Sequence, residues 1–268
     1  ETESFKIEKN FAESESLKVP PLEGFREAYI LHLADTTLIL SQRNSAWCGH
    51  GPIIEQDIVI TNISLDLLGQ SRNFYQYAAA LIGNNATEDS LAYLRSEREF
   101  RNILLVELPN GDWAQTILRQ FLFSVFQQLL LEKLRSHADE TIAAIASKSL
   151  KETDYHVKWS SEWVIRLGDG TAESRQRMIN AIENCWSYTD EMFTPASYET
   201  DSVTGIDMRS LKPAWEQRVR DIFTEATLPY PAKGFMYTGG KTGMHTEHLG
   251  FILAEMQHLQ RSYPGATW

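Results

Sequence analysis

Carboxylates and a histidine at helical spacing are the residues of this chain that could hold a metal. Asp66 lies in one long apolar-periodic stretch, and Glu152, Asp154 and His156 cluster in another. In helical bundles that house two irons, a carboxylate projects inward from each of two helices, and a Glu-x-x-His pair from each of the other two. With Asp66 in the carboxylate position of such a pair, Gly69 stands where histidine belongs, and glycine has nothing to coordinate with. Glu152 precedes His156 by four residues instead of three, and the residue three before His156 is Thr153. The first helix offers Asp35 as its inward carboxylate. The set Asp35, Asp66, Glu152 and His156 would leave two irons under-coordinated.

The segment that should supply the remaining carboxylate has none. Residues 113–132, WAQTILRQFLFSVFQQLLLE, have helical spacing, yet their interior carries Arg119, Gln120, Ser124, Gln127 and Gln128 in place of acids or histidine. In a bundle interior, a few acids and a histidine can also hydrogen-bond to amides or a basic side chain and fix helix register, and this reading covers the same residues. The seam Asn62, Asp66, Gln70 and Asn73, at spacings of four, four and three, shares one helical face and needs partners wherever it is buried. The opposing reading makes the chain itself a metalloenzyme, with an unusual iron site on Asp35, Asp66, Glu152 and His156.

Other motifs lead less far. TGGKTG at 238–243 resembles a phosphate-binding loop, but with Lys241 as its lysine the first glycine falls on Phe235, and no strand pattern precedes it. His245, Glu247 and His248 form a HTEH cluster that lacks a fourth ligand and reads better as the capped start of a helix. Arg95, Arg98 and Arg101, spaced by three, suggest a basic edge for an anionic group, or else a solvated face of ion pairs. There is no GxSxG elbow and no cysteine in a catalytic signature, so we assign no catalytic residue.

The elements that must position these residues read as helices over 25–42, 53–82, 113–132, 139–167, 171–193, 211–223 and 245–262. Gly, Pro and Asn punctuate the joints, and the stretch 83–112 crosses back between helix pairs in short pieces. No strand pattern stands out. Residues 1–22 read as a polar, acidic arm and residues 23–268 as one helical domain.

Composition sets outer limits. The chain has 268 residues, 43% hydrophobic, enough for a large core. A net charge of −11 opposes nucleic-acid binding. No run reaches the ~18 apolar residues of a membrane span. Cys48 and Cys185 are too few for a disulfide framework, and the chain reads as cytoplasmic.

The runs LSQRNSAWCGHGP, DIVITNISLDLLGQSRNFYQYAAAL, NILLVELPNGDWAQTILRQF, KETDYH and TGGKTGMHTEHLGFILAEMQHLQRSYPGATW together resemble one family, the C subunits of ring 1,2-phenylacetyl-CoA epoxidase. The resemblance runs from about residue 26 to the C-terminus. It implies an all-α, ferritin-like four-helix bundle with additional C-terminal helices, a degenerate metal site at Asp35, Asp66, Gly69, Glu152 and His156, and no cofactor in this chain. It also implies a hetero-oligomer with the B subunit and with a catalytic A subunit that holds the di-iron centre. The chain is then a structural subunit of a bacterial multicomponent monooxygenase that epoxidises phenylacetyl-CoA in aerobic phenylacetate catabolism. Contacts to the CoA ester fall, by that resemblance, on Glu99, Phe100, Arg101 and Asn102.

Overall fold

A computed structural model describes residues 24–263 and 266, and the arm expected over residues 1–22 lies outside them. Several of the long helices start or stop where the sequence offers a side-chain acceptor or a break. The α-helices are α1 (Phe25–Ser45), α2 (Ile54–Ile82), α3 (Glu88–Tyr93), α4 (Leu104–Glu107), α5 (Trp113–Leu134), α6 (Glu140–Gly168), α7 (Ala172–Cys185), α8 (Asp201–Thr204), α9 (Lys212–Glu225), α10 (Glu247–Met256) and α11 (His258–Ser262). The Asp112 carboxylate caps α5 by accepting the Gln115 amide at 3.0 Å. Asp139 caps α6 on the Thr141 and Ile142 amides at 2.9 and 3.2 Å. Thr171 and Ser174 close a reciprocal capping box on α7. α2 stops at Gly83, with φ 64°, and Asn84 and Asn85 continue the left-handed turn that these residue types tolerate.

Two helix pairs, α1 with α2 and α5 with α6, form the bundle, with α2 also packed on α6. α1 and α5 are buried on nearly every face. This is why their sequences are apolar all round instead of striped. The later elements provide the cover: α4, α8 and α10 pack on α1, while α7 and α9 pack on α5. α2 and α6 bury only one stripe each and leave their outer faces bare. The all-α, ferritin-like bundle with additional C-terminal helices is the architecture expected from sequence. No strand occurs among the described residues, and none of their helices is long and apolar enough to cross a membrane.

Two expected helices are broken. The stretch 171–193 ends as an α-helix at Cys185 and continues as 3₁₀ turns over Trp186–Tyr188 and Asp190–Phe193. The turns aim the Glu191 carboxylate inward, where it accepts the amides of Leu104 and Gly239, each at 2.7 Å. The last helix breaks at Gln257, whose buried side-chain amide is tied to the carbonyls of Ala92 and Arg95 at 3.1 and 3.0 Å. In both places a tertiary hydrogen bond outweighs local helix propensity.

Candidate functional site

The α2–α6 seam brings together Asp66, Glu152 and His156. His156, fully buried, donates Nε2–H to Asp66 Oδ2 at 3.0 Å. One turn along, Gln70 donates to Glu152 Oε2 at 2.9 Å, and Gln127 of α5 donates to Gln70 Oε1 at 2.7 Å. Toward the other end of the interior, Asn44 of α1 donates to Gln120 at 2.6 Å, and Gln120 donates to Ser124 at 2.8 Å. Neutral amides and a hydroxyl thus fill the bundle where the sequence lacked carboxylates. A Cβ added at Gly69 would meet nothing within 4 Å, so no packing demands glycine there.

Asp35 is not part of this seam. It is fully buried and held by a different group: both guanidinium nitrogens of Arg95 (Nη1 at 3.1 Å to Oδ2), the Tyr75 hydroxyl at 2.5 Å and the Arg101 amide at 2.8 Å. A carboxylate with those four donors has no lone pair to spare for a metal. Among the described residues, no group of three or more His, Cys, Asp and Glu side chains is placed to hold a metal ion. The donor set of the bundle does not fit two irons.

The glycine-rich loop is a packing device. A Cβ at Gly240 would lie 2.3 Å from the Asn102 carbonyl oxygen, and at Gly243, with φ +82°, 2.3 Å from that of Arg98. Lys241 is buried, its ammonium 2.9 Å from Glu199 and 3.2 Å from the Thr194 carbonyl. A lysine used in this way cannot reach out to a phosphate, which agrees with the failed register of TGGKTG.

HTEH resolves into a cap and a latch. Thr246 caps α10 through the His248 amide at 3.3 Å. His245 places Nδ1 2.8 Å from Glu107 Oε2 and Nε2 3.0 Å from the Phe100 carbonyl. A carboxylate and a carbonyl are both acceptors, so the two contacts favour the doubly protonated ring. Burial alone lowers the His245 pKa, but the hydrogen bond and charge of Glu107 outweigh it and hold the group above its ordinary value. A raised histidine pKa contributes stability that is fully present below the unfolded value and is lost as pH rises through the folded one. His245→Gln is therefore expected to cost about 2 kcal/mol near pH 6 and clearly less near pH 9, read as urea midpoints of both proteins.

Glu107, Glu191 and Glu199 are the residues that sequence reasoning passed over. All three are buried and together receive the segment that carries the glycine loop. Burial pushes Glu191 up despite three backbone donors, whereas Lys241 and His32 bring Glu199 down against the burial that opposes them. A signal was available for one of them: Glu107 sits inside the apolar run ILLVELP, and an acid in such a run is buried and paired.

Glu99, Phe100, Arg101 and Asn102 lie against this same network. Phe100 and Asn102 are fully buried, the former under the Arg95 guanidinium at 4.4 Å and the latter donating to Glu107 at 2.8 Å. Glu99 is exposed and caps Ser96, and the Arg101 guanidinium lies 5.2 Å from the Tyr198 ring centre. The three arginines do not form one edge, since Arg95 is buried on Asp35 while Arg98 faces solvent.

Comparison with known proteins agrees with this architecture. The profile of the phenylacetic acid catabolic protein family matches residues 25–268. The chain is similar to the C subunit of 1,2-phenylacetyl-CoA epoxidase from Escherichia coli (strain K12): 47% identical over 244 residues, covering 90% of this chain and 98% of that protein. With nearly every described element inside the match, the chain belongs to the phenylacetic acid catabolic protein family.

Proposed function

We propose that the chain is the non-catalytic structural subunit of a phenylacetyl-CoA epoxidase complex, one that stabilises a di-iron A subunit and borders its CoA-ester site. The observation that carries this reading is the bundle interior, in which Gln70, Gln120, Ser124 and Gln127 occupy the space that iron ligands would need. The name of the Escherichia coli relative, a lettered subunit, supports partnership over independent action.

The bare face of α2 supports a grip. Ile54, Ile58, Leu65 and Leu68 are 71, 55, 60 and 40% exposed and lie on one stripe, with Tyr155 of α6 also exposed. On the other side of the bundle, α1 and α5 are already covered by this chain's own later helices. A stripe at such spacing suits a partner helix, and contiguous exposed apolar surface marks an association site. The partner we assign to it is the A subunit. Contributions to the CoA ester run through Arg101 and Glu99, the two of the four matched residues whose side chains are not buried.

Metal counting tests the reading. After aerobic loading with ferrous iron, the isolated chain is expected to retain far less than one iron, and Glu152→Ala to leave that value unchanged. About two irons per isolated chain, lowered by Glu152→Ala, would instead establish the opposing reading, an iron site of this chain's own.

A further inference from the structure

A cleft of about 460 Å³ opens between the 3₁₀ turns after α7, helix α9 and the irregular segment 230–236. It lies away from the α2–α6 seam, and none of the residues discussed above for metal or CoA lines it. Its volume is within the roughly 300–1,000 Å³ of small-molecule sites. The floor is Trp215, 2% exposed and fixed by its indole N–H on the Leu122 carbonyl at 2.9 Å. The walls are Trp186, 5.7 Å from Trp215 between ring centres, and Tyr230, edge-on to Trp186 at 5.1 Å.

Charge is arranged around these rings. The Arg220 guanidinium lies 3.7 Å from the Tyr230 ring centre, and Arg220 and Lys233 make no ion pair among the described residues. Lys212 is neutralised by Asp190, and Glu216 is the remaining acid of the lining. In a chain of net charge −11, two unpaired cations beside one such acid are a local reversal of sign. The Tyr230 hydroxyl, beside the same cleft, is buried and makes no hydrogen bond among the described residues.

We propose that this cleft binds a small aromatic anion, a flat ring carrying a carboxylate or a phosphate. The rings of Trp186 and Tyr230 supply stacking and edge contacts for the flat part. Arg220 and Lys233 supply the charge, Arg220 being held by cation–π contact in a pre-organised position. The proposal does not depend on the chain's role as a structural subunit. Two sources share this chemistry, a nucleoside monophosphate and an aryl carboxylate.

Adenosine monophosphate and benzoate are the probes, titrated into the full-length chain at low salt by calorimetry and by saturation-transfer NMR. Saturable binding of at least one is expected, weakened at least tenfold in the Arg220→Gln/Lys233→Gln double variant and by Trp186→Leu. Both cations are at the surface or its edge, so the double variant should melt like the parent, and that melt is the folding control. Binding of the nucleotide alone identifies a nucleotide site, and binding of benzoate alone identifies an aryl-carboxylate site. No saturation by either probe, or binding that the double variant leaves unchanged, overturns the proposal.

Discussion

Arg95→Ala is expected to destabilise the chain by about 3–5 kcal/mol, the cost of leaving a buried charge without its partner. Asp35 and Arg95 are 0 and 2% exposed, and the arginine also donates to the Leu91 carbonyl at 2.6 Å and the Glu99 carbonyl at 2.9 Å. Without the guanidinium, Asp35 keeps only the Tyr75 hydroxyl and the Arg101 amide. The loss is a large share of the roughly 5–15 kcal/mol that holds a domain folded. Removing both charges with Asp35→Leu/Arg95→Met should restore most of it, because no orphaned charge remains. Urea unfolding followed by circular dichroism measures all three proteins. A single variant within about 1 kcal/mol of the parent would show that solvent reaches Asp35 and that the network is not closed.

Ile58→Asp/Leu65→Asp is expected to weaken association with the A subunit by more than a hundredfold while leaving the isolated chain's melting temperature almost unchanged. The asymmetry follows from exposure. Both side chains are more than half exposed in the single chain, so a carboxylate there stays hydrated, yet in a docked complex it would have to be stripped of water. Phe235→Asp serves as the matched control, since Phe235 is 73% exposed but lies on the irregular loop before the glycine run, off the stripe. Gel filtration and calorimetry of the mixed subunits give the readout. Undiminished association of the double variant would move the interface off α2.

Much of the bundle was legible in the chain. α2, α5 and α6 begin and end within about two residues of the positions read from periodicity, and Asp112, Asp139 and Gly83 act locally as caps or breaks. The amide-for-acid replacement on α5 was equally plain, since helical spacing alone puts Gln120, Ser124 and Gln127 on a single inward face. Asp35 misled for the opposite reason. On an all-buried helix every direction is inward, so sequence could not say whether Asp35 faced α5 or the Arg95 segment.

The amino-acid sequence by itself determined the fold class, the helix order, the family and the shortage of metal ligands, because each depends on spacing and residue type along a single segment. Only the tertiary structure decided that Lys241 neutralises Glu199, that His245 is buried between Glu107 and the Phe100 carbonyl, that Arg95 pairs with Asp35, and that aromatic residues from 186 to 230 line a cleft. Each of these joins residues far apart in the chain, and whether a charge is paired, buried or free depends on what the fold brings to it.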